Sequence, residues 1–268
     1  MAEPANGYCK SSTRVCALFL DYDGTIAPLD VPLSQSAVST DKLDALNRID
    51  DHIPVAIIST KDLAFLTSRV PFARAWSAIG GLETKVGDVT TTNPCLEEKA
   101  SVLRKALDYA KQFIGGTGEL VIEEKHNQRG DVAAFSVDWR RARSFNAVEK
   151  QVSRVFAYCE KLPLATIRSP ELPFFDVFPC PVDKGQAVRE LKDKFGVTRG
   201  VLYLGDSVID NLAFKVADVS VGVVSEGSGT DLKSDYLVRF EDVHGFLEEL
   251  LRNNLHFRPD MSMIRTNR

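Results

Sequence analysis

Six apolar residues in a row, Val15-Cys16-Ala17-Leu18-Phe19-Leu20, end on an acidic pentapeptide, Asp21-Tyr22-Asp23-Gly24-Thr25. An uninterrupted apolar run of that length suits a strand covered on both faces, as in a parallel sheet. A second run, Val55-Ala56-Ile57-Ile58, ends on Ser59-Thr60, and a third, Val201-Leu202-Tyr203-Leu204, ends on Gly205-Asp206. Between the first two, Ser39 or Thr40 can cap a helix carrying Leu43, Leu46 and Ile49 on one face. A helix from about Asp62 to Arg69 stops before Pro71. The pattern predicts βαβα, a parallel sheet with helices packed against it. From Asp183 the alternation resumes: a helix, the Val201 strand, a helix, a strand over Val219–Val223 and a last helix near Val243–Leu251.

The stretch between reads differently. Leu82 to Thr92 is a polar hairpin turning at Gly87-Asp88, and Asn93-Pro94 opens a helix through Leu96, Ala100, Leu103, Leu107 and Ala110 that stops at Gly115-Gly116. Strands around Leu120–Glu124 and Val132–Trp139 turn at Arg129-Gly130; a helix with Val148, Val152, Val155, Phe156 and Cys159 and short strands near Ala165 and Phe175 complete the block. The expected fold class is α/β: a doubly wound parallel sheet formed by residues 1–81 and 179–268, with an inserted α+β cap at 82–178. Residues 1–13 and the polar tail after Asn253 are expected to be loose, Asp50-Asp51 a solvated helix end, and Gly227-Ser228-Gly229 a flexible connection.

Composition narrows the function. Thirty-three basic against 37 acidic residues give −4, too mild for a nucleic-acid or membrane-surface footprint, so the expected partner is a small molecule. The five cysteines, Cys9, Cys16, Cys95, Cys159 and Cys180, are odd in number and lack a C-x-x-C pair, which argues for free thiols in a reducing compartment. With no signal-peptide pattern and no long apolar run, a cytoplasmic protein is expected. The chain gives no sign of its oligomeric state.

Four signals sit in order at β-to-α transitions: Asp21/Asp23, Ser59, Lys184 in Asp183-Lys184-Gly185, and Asp206/Asp210. Singly they have plain readings. Ser59 and Asp206 could be helix caps and Lys184 a solvated first-turn lysine. The ordered set on one sheet points instead to phosphoryl transfer. A carboxylate nucleophile must approach a phosphate dianion, and two unit charges about 4 Å apart repel by roughly 4 kcal/mol at an effective dielectric near 20. A lysine and a divalent cation offset that repulsion, and Mg²⁺ is served by carboxylates and a carbonyl. Attack by an aspartate splits one displacement into two through an aspartyl-phosphate. A second acid then protonates the leaving alkoxide and later activates water.

On D-Y-D-G-T at Asp21–Thr25, Ser59, D-K-G at Asp183–Gly185 and G-D-x-x-x-D at Gly205–Asp210, the chain resembles haloacid-dehalogenase (HAD) superfamily phosphatases, and among them the trehalose-phosphatase group. The resemblance implies Asp21 as nucleophile and Asp23 as general acid/base. Ser59 and Lys184 would hold phosphoryl oxygens, and Mg²⁺ would lie on Asp21, the Asp23 carbonyl and Asp206, with Asp210 supporting. It implies sugar contacts by Glu123 and Lys125, matching the group's E-x-K, and by Arg140, on strands facing the core crevice. Asp138 replaces a usual histidine, Lys61 an arginine and Gly80 a histidine, while Asp176 and Phe178 stand where E-x-R is usual. The implied reaction is hydrolysis of trehalose 6-phosphate. The alternatives are another phosphorylated glycoside, phosphoryl transfer to an alcohol, or a lapsed sugar-phosphate binder.

Overall fold

The computed structural model describes residues 12–29, 31–114, 118–168, 173–225 and 231–267. The chain forms two compact units, one of Met1–Ala56 and Val188–Arg268, the other Ile57–Ala187. In chain order, β1 (Thr13–Arg14) and β2 (Ala17–Leu20) precede α1 (Thr40–Asp50), β3 (Val55–Ile58), α2 (Leu63–Arg69) and β4 (Ala75–Ala78). Then come β5 (Glu83–Val86), β6 (Val89–Thr92), α3 (Cys95–Glu98), α4 (Ala100–Phe113), β7 (Val121–His126), β8 (Val132–Asp138), α5 (Phe145–Cys159), β9 (Ala165–Arg168) and β10 (Phe174–Phe178). The rest is α6 (Lys184–Phe195), β11 (Val201–Gly205), α7 (Asn211–Phe214), β12 (Val219–Val224), β13 (Tyr236–Arg239), α8 (Val243–Arg252), β14 (His256–Phe257) and β15 (Ile264–Thr266). Among the described residues, no helix is long and apolar enough to cross a membrane.

The large sheet has the order β15-β13-β12-β11-β2-β3-β4-β5-β6. Of its strands in the first unit, β2, β11, β12 and β13 are parallel, and β15 runs antiparallel to β13. Every residue of β2 and β11 is buried, which is why their sequences are unbroken apolar runs. Helix α1 buries Leu46 and Ile49 of the expected stripe together with Ala45 and Lys42, while Leu43 is half-buried. The Lys42 ammonium lies 3.5 Å over the Phe240 ring and donates to the Ile26 carbonyl at 3.4 Å.

The second unit holds a separate antiparallel sheet, β7-β8-β10-β9. Its two-residue alternation sends Phe135, Val137, Phe175 and Val177 into a core with Leu103, Leu107 and Val152 of α4 and α5. The opposite face carries Glu123, Ser136 and Asp176 side by side in register.

Several expectations change. The β5–β6 hairpin pairs with β4 in the large sheet, so the four-stranded sheet begins at Val121 rather than near residue 82. The helix after Asn93 is broken at Lys99 (φ −103°, ψ 1°) into α3 and α4, and the helix after Asp206 shrinks to one turn of 3-10 helix and α7. Strand β13 was not expected. The tail after Asn253 is not loose: β14 pairs with β1, β15 pairs with β13, and Phe257 and Met261 are buried. Asp50 is not merely a solvated end, since its carboxylate accepts the Val55 N–H at 2.9 Å. The expectation of free thiols fails for Cys95 and Cys180, which form a disulfide across a separation of 85 residues that no local spacing could disclose. Cys16 and Cys159 are free. Cys9, Gly115-Gly116 and Gly227–Gly229 lie outside the described residues.

Candidate active site

Parallel pairing of β2 with β11 brings their carboxyl ends to one edge, and an acid leaves each strand there: Asp21 after β2, Asp206 after β11. The Asp21 N–H continues the ladder, donating to the Leu204 carbonyl at 2.9 Å. Residues 22–27 then close on themselves. The Tyr22 carbonyl accepts the N–H groups of Ile26 and Ala27, each at 3.0 Å, and the Gly24 N–H donates to the Ala27 carbonyl at 2.8 Å. Gly24 sits at φ +71°, and a Cβ there would fall 1.9 Å from an Asp206 carboxylate oxygen, so this turn admits no side chain.

Asp210 reaches the same place from the 3-10 turn after β11. It is fully buried; its Oδ1 accepts the Tyr203 hydroxyl at 2.6 Å, and its Oδ2 accepts the Ser207 N–H at 3.0 Å and hydroxyl at 2.7 Å. Carboxylate oxygens of Asp21, Asp206 and Asp210 all lie within 4.8 Å of one another. Like charges at that spacing in a buried setting repel by several kcal/mol unless a cation joins them. An all-oxygen donor set suits a hard divalent ion such as Mg²⁺. The Thr25 hydroxyl, in the same loop, is buried without a hydrogen-bond partner among the described residues and leaves a polar group for a ligand. Burial, then the charges of Asp210 and Asp21, push the Tyr203 phenol well above its ordinary pKa, so it stays a donor. The Asp23 side chain is outside this trio. It is half-buried, and its Oδ1 accepts the Ser36 hydroxyl at 3.1 Å.

In the second unit Ser59 ends β3 fully buried. Its N–H donates to the Ser77 carbonyl at 2.9 Å, its carbonyl accepts the Gly80 N–H at 2.8 Å, and its Oγ accepts the Lys61 N–H at 3.3 Å. Lys184 opens α6 and is 2% exposed, far from the solvated lysine of the plain reading. Glu123 does not stand free: Lys61, two residues after Ser59, donates to both its oxygens at 2.9 and 3.3 Å. Lys125 is buried against Asp176 at 2.7 Å, and the Ser136 hydroxyl also donates to that carboxylate. Arg140 is not on a strand. It lies in the turn after β8, with Nε and Nη2 on Asp138 at 2.9 and 2.7 Å. The structure thus joins Asp21, Asp206 and Asp210, and engages each of Glu123, Lys125 and Arg140 with another side chain.

Two contributors went unread. Tyr203 looked like one more apolar strand residue, its hydroxyl the only signal. Glu83 is 1% exposed, with Oε1 accepting the Gln128 N–H at 3.0 Å and Oε2 lacking a partner; burial pushes its carboxyl up. Asp62 does double duty nearby, capping α2 through Phe65 N–H (2.8 Å) and accepting the His126 N–H (3.3 Å).

No protein-family model matches the chain. The trehalose-phosphate phosphatase of Mycobacterium ulcerans is 28% identical over 205 residues, 74% of this chain and 50% of that protein. Among solved structures, the C-terminal domain of a C. albicans trehalose-6-phosphate phosphatase superposes with a TM-score of 0.71 at 20% identity, covering 90% of this chain and 94% of that one. A haloacid dehalogenase-like hydrolase from Bacteroides thetaiotaomicron gives 0.64 at 17%, covering 90% and 100%. The chain has the HAD fold and is similar in sequence to trehalose-phosphate phosphatases. The large, mostly parallel sheet is the Rossmann-like core of that fold. The chain spans 27% to 58% of the length of curated trehalose-phosphatase relatives that it matches.

Proposed function

We propose that this HAD-fold protein hydrolyses a sugar phosphate, trehalose 6-phosphate first among them, in a Mg²⁺-dependent reaction through an aspartyl-phosphate on Asp21. The convergence of Asp21, Asp206 and Asp210 at the ends of two adjacent parallel strands carries this reading. Ligands of open α/β sheets bind at that edge.

Asp21, ionised at neutral pH, attacks phosphorus, and the sugar leaves as an alkoxide. Asp23 follows two residues on, held by Ser36, and is the group that protonates the alkoxide and then takes a proton from the hydrolytic water. Asp21, Asp206, Asp210 and the Asp23 carbonyl would hold the cation, which supplies charge neutralisation for the phosphoryl oxygens. Tyr203 and Ser207 keep the Asp210 carboxylate oriented. Ser59 and Lys184, both buried, keep the phosphate-holding roles that the resemblance gives them.

The sheet β7-β8-β10-β9, with its helix-free face bearing Glu123, Lys125, Ser136 and Asp176, is the proposed specificity cap. Lys125 is committed to Asp176 and Glu123 to Lys61, and Asp138, Asp176 and Phe178 replace residues of the H-x-R and E-x-R set. A second reading therefore keeps the chemistry and changes the sugar to another phosphorylated glycoside. Phosphate release from a panel of sugar phosphates, with Mg²⁺ and with chelator, tests both. Release from none of them would remove the proposal.

A further inference from the structure

We infer that the Cys95–Cys180 bond is a redox modification site, open to a dithiol reductant, that controls how firmly residues 179–184 are held. Its effect on turnover rests on the phosphatase reading above; the bond and its mechanical effect do not.

The bond sits where the chain enters and leaves the block built on the four-stranded sheet. The chain departs from β6 at Asn93 and returns from β10 at Pro179; Cys95 opens α3, three residues after the end of β6, and Cys180 lies two residues after the end of β10. One covalent link therefore ties both connections of the block together. Cys95 and Cys180 are both half-buried rather than sealed in the core, which leaves a reductant a route to the bond. Cys159 is no rival partner: it is buried, and burial pushes its thiol up to about 12.

What the bond steadies is next to the candidate chemistry. Val182, two residues after Cys180, is buried against Gly80, where a Cβ would fall 2.5 Å from the Val182 Cβ. The Gly80 N–H donates to the Ser59 carbonyl at 2.8 Å. Two residues further on, Lys184 starts α6 with its charge buried. Anchoring Cys180 thus anchors a short segment that touches the Ser59 turn at one point and ends on Lys184.

The chemistry is thiol–disulfide exchange. A thiolate of the dithiol attacks one sulfur, forming a mixed disulfide and releasing the other sulfur as a thiolate that takes up a proton. The second thiol of the reductant then displaces the bound cysteine. Cys95 and Cys180 end as thiols and the reductant as a cyclic disulfide, with two electrons and two protons transferred.

The test uses the whole chain with dithiothreitol as the probe. Alkylation of denatured, unreduced protein should modify three cysteines, the five of the sequence less the bonded two, and digestion should yield one peptide pair linked through Cys95 and Cys180. Free alkylation of both after treatment with oxidised glutathione would overturn the site. Reduction should speed hydrogen exchange over residues 182–187 while leaving 201–205 unchanged; equal exchange in both states would overturn the mechanical effect. Turnover of p-nitrophenyl phosphate with Mg²⁺ should fall severalfold on reduction and recover on reoxidation. The C95S/C180S double variant should sit at the reduced level and ignore dithiothreitol, and the reduced native chain makes the same comparison should that variant misfold. Equal turnover in both states would overturn the switch. Exchange that responds while neither state releases phosphate would sink the phosphatase reading and leave the redox site standing.

Discussion

The Tyr203 hydroxyl lies 2.6 Å from Oδ1 of Asp210, and both side chains are wholly buried. One residue thought to be sheet filling thereby orients a carboxylate of the acidic trio. Hydrogen bonds to charged groups contribute about 1.5–3 kcal/mol, so Tyr203→Phe should lower stability by that order. It should also raise the Mg²⁺ concentration needed for half-maximal activity by about tenfold, the equivalent of roughly 1.4 kcal/mol. Denaturant unfolding and a Mg²⁺ titration check the two halves. An unchanged Mg²⁺ requirement would reduce Tyr203 to a structural residue.

Lys125 and Asp176 form a buried ion pair, 3% and 5% exposed at their side chains. Removing one partner of such a pair strands the other charge and costs about 3–5 kcal/mol. Lys125→Ala and Asp176→Ala should each destabilise by that order. Replacing both together, as in Lys125→Met with Asp176→Leu, should cost far less. A double-mutant cycle read by urea unfolding decides this. Small losses in both single variants would show that the pair is not desolvated.

Burial lowers the Lys42 pKa from 10.5 to about 8, against the opposing pull of Glu241. Between pH 8 and 10.5 the unfolded chain then binds more protons than the native one, so the Lys42 contribution to stability rises with pH across that window. Below pH 8 the native state carries the buried ammonium and its full penalty. Lys42→Met should remove that rise, measured as the pH dependence of unfolding in urea. An identical pH profile in the variant would contradict the burial of a titrating amine.

What the sequence disclosed and what it hid divide along physical lines. Buried parallel strands must be apolar on both faces, so β2, β3 and β11 announced themselves, and with them the positions of Asp21, Ser59 and Asp206. Partnership across space left no such mark. Nothing local distinguishes the β5–β6 hairpin as an extension of the large sheet, because its exposed Thr-rich strand alternates like any surface hairpin. Strand β15 reads as polar tail because it lies on the outer edge of the sheet. Lys42 hides beside the buried Leu46 and Ile49 of α1, since a lysine counts as polar whatever its stem covers. The roles expected of Glu123, Lys125 and Arg140 were drawn by likeness alone, and their partners Lys61, Asp176 and Asp138 emerged only from the register of β7, β8 and β10 and the turns beside them.

Phosphoryl transfer through Asp21 is the step on which the proposed hydrolysis depends. The most direct measurement is mass spectrometry of acid-quenched enzyme during turnover of trehalose 6-phosphate with Mg²⁺. A phosphate adduct is expected on the peptide containing Asp21, lost in Asp21→Asn together with phosphate release and lost again in chelator. Near-normal phosphate release by Asp21→Asn, with no adduct on that peptide in the native enzyme, would contradict it.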